Sequence, residues 1–554
     1  MRRFEDFVQM PIRRIALAMI VFASIRAAAQ TPAATAPNDA ATDFVAPLSG
    51  KPFAEPLASR VAAISDVAIG VHINLLASPA LEGRGLGTHG LDAATEYAAA
   101  TLRLAGIPPY GATGSYFQLV PLRKVTGTRG QIEIERRDRE GIVTRAFASG
   151  VDCLFSAQPP QTLKAPVVFA GFGIREPQLG RDDYAGLDVR GRIVLIVAGV
   201  PGGAAWQTPE LLARYAASGT RERYALKIET ARALGAAAVL AVEDEGFATS
   251  LAENVADEER AFRSYDRDPH ELPMLVRVSP TVAAAITGED VAAQSASSAT
   301  RPPQPASTAT IRVSGEEQLI VSRNVLGILI GSDPKLRDEA VIIGAHIDHL
   351  GMEGGVIHPG ADDNASGVAA LLEIAKTFAA SPEKPKRTLI FAFWTGEEEG
   401  HLGSAFNVKH PRWPLARVAA YLNLDMIGHP WLATEIGKLV DDSHLPGADA
   451  YVASVKAENF VEPGVPRGFP ALERALRDSA RGNALAMHID WTDGKYGGSD
   501  YRDFARAGVP FIRFFGNFFP DYHKPGDTPD RLDMTQVQRV ARFAFATAWE
   551  LANQ

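Results

Sequence analysis

Five residues in the C-terminal half carry the chemistry of this chain. They are His346 in G-A-H-I-D-H, Asp363 in G-A-D-D-N-A-S-G, Glu398 in T-G-E-E-E-G, Asp425 in L-N-L-D-M and His523 in Y-H-K-P-G-D-T. Two histidines and three carboxylates without a thiolate suit two close divalent cations better than one structural zinc. Cations held a few ångströms apart repel, so an anionic ligand must be shared between them. Asp363, in a tight glycine-containing turn just before a helix, is the candidate bridge. Nitrogen and oxygen donors favour two Zn2+ ions, with Co2+ or Mn2+ as substitutes. Spacing alone does not decide how His346, Asp425, Glu398 and His523 divide between them. A two-metal site at strand ends points to a hydrolase.

The neighbours of these residues have the types that hydrolysis needs. Glu397 precedes Glu398, and consecutive side chains at a strand end diverge. One can bind metal while the other faces the attacking water as a general base. Asp348, two residues after His346, can accept the second imidazole N–H. Tyr522 could hydrogen-bond an oxyanion, or simply be a buried aromatic beside His523. His349, His358, His401 and His488 are assigned structural or supporting roles, because five ligands already fill the site.

The elements that must position these groups alternate between strand and helix from Arg323 onward. Asn324–Ile330, Val341–Ala345, Thr388–Trp394, Val418–Leu424 and Val509–Phe515 are strand-like, and Ala365–Ala380 is an amphipathic helix with Asn364 at its N-cap position. The alternation predicts an α/β fold, a mixed central β-sheet flanked by helices. Its site lies outside the carboxyl ends of the strands. Upstream, Val61–Ala77 and Leu91–Ala105 are expected helices, the second with Ala93, Tyr97, Ala100 and Leu104 on one stripe. Between them lies the glycine-rich loop Leu81–Gly90. The stretch from Val125 to Arg312 is richer in β-type runs, and 429–490 has few signals.

Length and composition set the outer limits. A chain of 554 residues exceeds one core. The formal net charge of -9 argues against nucleic-acid or polybasic membrane partners. Arg13 and Arg14, the apolar run Ile15–Ile25 and Ala27-Ala28-Ala29 have the form of a secretory signal peptide. That run is shorter than the roughly 20 residues that span a bilayer, so no stable membrane anchor is expected. Cys153 is the only cysteine, which rules out an intrachain disulfide, and its apolar setting suits a buried thiol better than a nucleophile.

The five strings, in this order, resemble the di-zinc aminopeptidase family, which also includes glutamate carboxypeptidases, glutaminyl cyclases and the transferrin receptor ectodomain. L-E-G-R-G-L-G-T-H-G (Leu81 to Gly90) is a weaker match of the same kind. The resemblance implies Asp363 as the bridge, His346 and Asp425 on one zinc, and Glu398 and His523 on the other. It makes Glu397 the base and Asp348 the carboxylate behind the first histidine. F-A-G-F-G-I, D-D-Y-A-G-L-D-V-R-G-R-I-V and A-L-G-A-A-A-V-L resemble an inserted, β-rich protease-associated (PA) domain. Gly497-Gly498-Ser499-Asp500-Tyr501 departs from the S-D-H that the family often carries, which bears on pocket lining.

The expected organisation is a signal peptide at 1–29, a flexible lead at 30–55, a zinc peptidase domain at 56–124 and 313–554, and an accessory region at 125–312. The expected function is that of an exported exopeptidase, periplasmic or extracellular, acting on peptides through a metal-bound water and Glu397. Aminopeptidase is the favoured specificity. A carboxypeptidase or dipeptidase on the same scaffold would need a basic pocket, for which Arg513 and Lys524 are the nearby cations. A glutaminyl cyclase works with one zinc, and a noncatalytic binding protein would lack ligands; a full set is present here.

Overall fold

The computed structural model describes residues 43–45, 53–155, 158–216, 220–243, 247, 260–265, 273–289, 304–443, 448–495 and 497–554. The expected signal peptide and most of the lead lie outside the described residues. The chain divides into two compact units, Arg123–Leu319, and Thr35–Leu122 together with Ile320–Gln554.

The unit that holds the five strings is built on four parallel strands. Ala340–His346 pairs with Thr388–Trp394 on one side and Val418–Leu424 on the other, and Phe511–Phe514 pairs with Val418–Leu424. An antiparallel strand through Val325–Leu329 closes the side next to Thr388–Trp394, making the sheet mixed. The three longest parallel strands are almost wholly buried, which is why they read as unbroken apolar runs such as T-L-I-F-A-F-W. Helices Gly367–Ala380 and Met534–Asn553 cover one face, where the Phe378 ring lies 6.3 Å from Phe391 and 4.5 Å from Phe545. On the other face Phe504 of helix Tyr501–Arg506 stacks on Tyr421 at 4.0 Å and approaches Trp394 at 5.9 Å.

The chain leaves Ala340–His346 for the neighbour on one side, then crosses to the neighbour on the other. Ligand sites form at such a switch of direction, beyond the carboxyl ends of the strands. His346 ends its strand there, and Glu397 and Asp425 follow the next two strands by three residues and one residue.

Two local expectations need correction. Val61–Ala77 is two helices, Leu57–Ala63 and Asp66–Leu76, because Ser65 caps the second by accepting from the Ala68 N–H. In helix His89–Leu104 the buried stripe is Leu91, Ala94, Thr95, Ala98, Ala99 and Leu102. The expected stripe is the outer face, with Leu104 90% exposed. Alanines on all sides leave this helix's pattern without a clear phase. Helices Ala433–Asp442 and Pro470–Gly482 occupy the unread stretch, joined by strand pieces as short as two residues, too short to show a period.

The other unit is also built on parallel strands. Strands Gln161–Phe169, Ile193–Val197, Ala238–Val242 and Met274–Val278 run parallel in that order. Thr308–Val313 and Cys153–Phe155 close the two sides antiparallel, and Gln131–Arg137 forms a hairpin with Ile142–Ala148. Cys153 is fully buried in this core, as its apolar surroundings imply.

A polar chain crosses a buried face of the unit that holds the five strings. Trp394 Nε1 donates to the Tyr421 hydroxyl at 2.9 Å, that hydroxyl donates to Asn423 Oδ1 at 2.7 Å, and Asn423 Nδ2 donates to Ser499 Oγ at 2.9 Å. Gly344 lies under it. A Cβ there would stand 2.6 Å from Trp394 Nε1 and 2.7 Å from the Tyr421 hydroxyl. Gly344→Ala should therefore lower unfolding stability by about 2 kcal/mol in urea titrations. An unchanged midpoint would show that the Trp394–Tyr421 pair moves aside freely.

Candidate metal centre

The site starts from Arg84, whose side chain is fully buried. Its guanidinium donates to the main-chain oxygens of Ile347 (3.0 Å), Leu76 (2.6 Å), Pro359 (2.8 Å) and Gly360 (2.8 Å). It thereby joins the residue after His346 to the turn before Asp363. Burial lowers its pKa to about 10, although Asp527 and Asp363 oppose the shift. This clamp is the physical content of the L-E-G-R-G string.

The turn that carries Asp363 is held from both ends. Gly360 has φ +59, and a Cβ there would meet the Asp363 carbonyl oxygen at 2.2 Å and the His349 ring at 2.5 Å, so glycine is required. The Asp527 carboxylate accepts the N–H groups of Asp362 (2.8 Å) and Asp363 (3.1 Å), which explains the G-D-T after His523. Asp362 accepts the Gly428 N–H at 2.7 Å and meets His429 Nδ1 at 2.7 Å. The N-cap of helix Gly367–Ala380 is Ser366, not the expected Asn364, which lies in the preceding turn Ala361–Ser366; Asn364 Oδ1 accepts the Gly367 N–H at 3.0 Å and the Met426 N–H at 3.2 Å, tying the helix start to the loop after Asp425.

All five sequence-named ligand candidates converge. Asp363 Oδ1 lies 3.2 Å from His346 Nε2, which is also 3.1 Å from Asp425 Oδ1. Asp363 Oδ2 lies 3.0 Å from His523 Nε2, which is 3.1 Å from Glu398 Oε2. The two oxygens of one carboxylate therefore face two separate donor groups. Donor atoms of His346, Asp363 and Asp425 all lie within 4.8 Å of one another, and so do those of His349, Asp363 and Glu398. Tetrahedral ligands at roughly 2 Å from zinc sit roughly 3.3 Å apart, so the donor set fits such ions without large rearrangement.

Asp348 is arranged differently from the expectation. His346 Nδ1 faces the Asp348 main-chain oxygen at 3.2 Å, and the carboxylate is 3.9 Å away. The carboxylate instead accepts the backbone N–H of Glu397 at 3.1 Å and of Glu398 at 3.4 Å. With the chain turning at Asp348, its oxygens point across to the next strand's end, so it aligns the two glutamates.

The second histidine of H-I-D-H also enters the site. His349 Nδ1 is 2.6 Å from Glu398 Oε1 and 3.8 Å from Asp363 Oδ2. His401 Nε2 lies 3.0 Å from Glu397 Oε1. His488 stands elsewhere, against Glu462 at 2.6 Å. Tyr522 stacks on the His523 ring at 3.8 Å, and burial with the Asp363 and Glu398 carboxylates keeps its hydroxyl protonated. Asp500, from the departing G-G-S-D-Y string, is fully buried, and burial pushes its carboxyl up to about 8.

The charges divide the two adjacent glutamates. Burial and Asp363 push Glu398 upward, but His523 and His349 outweigh them and hold it at about 2. Glu397 goes the other way. Burial, then Glu398, Asp425 and Asp500, raise it well above the usual range against the pull of His346. Burial would lower His523, yet Glu398 and Asp363 raise it to about 11, and Asp425 and Glu397 likewise hold His346 well above its ordinary value.

The profile of peptidase family M28 matches residues 324–548. The "Probable lipoprotein aminopeptidase LpqL" of Mycobacterium tuberculosis is 26% identical over 482 residues, covering 82% of this chain and 78% of that protein. A "Probable zinc metalloprotease" of Pyricularia oryzae is 30% identical over 261 residues, covering 42% of this chain and 50% of that protein. The solved "Aminopeptidase from Aneurinibacillus sp. strain AM-1" aligns with 89% of this chain and 95% of its own at 18% identity and a TM-score of 0.49. The segment 324–548, which holds all five strings, is thus similar to peptidase family M28.

Proposed function

We propose that this protein is an exported di-zinc aminopeptidase that removes N-terminal residues from peptides. The observation that carries the reading is the Asp363 carboxylate, one oxygen toward His346 and the other toward His523. His346 and Asp425 would hold one zinc, Glu398 and His523 the other, and Asp363 would bridge. Bound zinc in such a pair polarises the scissile carbonyl and makes water a nucleophile at neutral pH.

The chain's own residues supply the proton chemistry. Glu397 takes the proton of the attacking water and returns it to the leaving amine. Its upward shift suits a carboxylate that must accept and then release a proton. Asp348 fixes the two glutamate N–H groups, so Glu397 and Glu398 keep separate directions. The Tyr522 hydroxyl, kept protonated, is a donor for the developing oxyanion.

Aminopeptidase specificity is supported by the Mycobacterium tuberculosis relative that carries that name. A carboxypeptidase would need a cation to grip a terminal carboxylate. Arg513 Nη2 is 3.1 Å from Asp490, and Lys524 Nζ contacts the Pro520 carbonyl, so both nearby cations are engaged. The basic, apolar and A-x-A segments before Gln30 support export. We also assign the unit Arg123–Leu319 to the PA type.

The defining experiment is hydrolysis of aminoacyl nitroanilides and of N- and C-blocked dipeptides. Chelator-sensitive release that requires a free N-terminus is expected; release from N-blocked peptides with a free C-terminus would move the assignment to carboxypeptidase. Glu397→Gln should lower kcat by about a thousandfold while zinc content stays unchanged. Full activity in that variant would remove Glu397 as base. Zinc loading should also release protons. With no metal, the neighbouring carboxylates hold His346 well above its ordinary value and His523 at about 11, so both rings favour the cation, whereas zinc binds neutral imidazole. Calorimetry in buffers of different ionisation enthalpy should report about two protons released per chain; heats independent of buffer would contradict the charge assignment.

A further inference from the structure

We propose that His401 is a positioning residue for Glu397, one that holds a chosen oxygen of the base; the inference rests on Glu397 being that base. Among the described residues, three side chains form a line. His401 Nε2 lies 3.0 Å from Glu397 Oε1, and His401 Nδ1 lies 3.8 Å from Asp503 Oδ2. His401 and Glu397 are both buried. Asp503 belongs to helix Tyr501–Arg506, which packs on the face of the sheet opposite Gly367–Ala380. The preceding residue on that helix, Arg502, reaches 3.4 Å from the Gly400 carbonyl and 3.8 Å from Asp503. The helix thus meets both the backbone and the ring of the Gly400–His401 corner.

The backbone at His401 supports a specific role for the side chain. Its φ is +63, the left-handed region in which a non-glycine residue costs about 1 kcal/mol. Glycine or asparagine would satisfy this corner at lower cost. The turn itself needs only the main chain: His401 N–H donates to the Glu397 carbonyl at 2.9 Å, and the Ala405 N–H donates to the His401 carbonyl at 2.9 Å. The imidazole is therefore surplus to the turn, and its Nε2 lies 3.0 Å from the carboxylate of the base.

The chemical consequence concerns direction. A glutamate in a crevice with Glu398, Asp425 and Asp500 is repelled from several sides and would swing among rotamers. A hydrogen bond from His401 Nε2 to Oε1 fixes one oxygen and leaves Oε2 to face the attacking water. Asp503 stands behind the ring at 3.8 Å from Nδ1, a charge contact beyond hydrogen-bond distance. His401 touches neither substrate nor metal in this arrangement and acts only through Glu397.

The test is a double-mutant cycle on the zinc-loaded enzyme. His401→Leu should lower kcat about tenfold, as expected for losing a hydrogen bond to a charged group, with KM, zinc content and thermal midpoint unchanged. His401→Gln keeps a donor where Nε2 stands and should recover kcat to within about threefold. In a Glu397→Gln background, His401→Leu should have no further effect. An equal loss in both backgrounds, or a loss that follows zinc content or KM, would overturn the proposal and leave His401 a structural residue. Wild-type activity in Glu397→Gln alone would instead remove the base, and this proposal with it.

Discussion

Mutual repulsion among buried carboxylates is the constraint around which this structure is organised. Asp348, Asp362, Asp363, Glu397, Asp425, Asp500 and Asp527 are all buried, and Glu398 joins them with a side chain only 7% exposed. Taking one such charge out of water is costly unless an opposite charge or several donors meet it. Arg84, His346, His349 and His523 supply part of that compensation. Two of the three divalent-type donor groups share Asp363, and placing cations there would offset the remainder. A folded chain that accepts this much repulsion has used its stability to prepare a charge, not to fill a core.

The sheet makes that preparation geometrically cheap. Parallel strands bring every carboxyl end to one side, so side chains far apart in sequence meet without long loops. Backbone donors then do the fine alignment. Asp527 receives two N–H groups of the Asp363 turn, Asp348 receives those of both glutamates, and Arg84 holds four carbonyls. Each supporting group comes from a different segment from the one it holds. The centre is therefore coupled to the packing of the whole unit.

What could be read from the sequence follows from the same physics. His346, Glu398 and Asp425 were legible because buried strands are apolar runs and a charged residue just past one stands out. Asp363 was legible from the glycine turn and the helix that follows. Arg84 was visible only as part of a string, since its carbonyl partners lie up to 276 residues away and a carbonyl leaves no mark in sequence. His349 and His401 were placed in supporting roles, but which carboxylate each supports depends on rotamers set by tertiary packing. Spacing puts Asp348 behind the His346 ring, but its own backbone oxygen faces Nδ1 at 3.2 Å and its carboxylate stands 3.9 Å away, a choice that spacing cannot make. The inverted face of helix His89–Leu104 has a simpler cause. Alanine is equally at home on both sides, so composition could not say which face meets the core.

The most direct test of the account is the number and place of bound metal ions. Elemental analysis of the purified protein, with anomalous scattering at the zinc edge from its crystals, measures both. The account predicts two zinc ions per chain, one beside His346 and Asp425, the other beside Glu398 and His523, with Asp363 between them. A fully active enzyme with a single zinc, or with zinc bound away from Asp363, would contradict it.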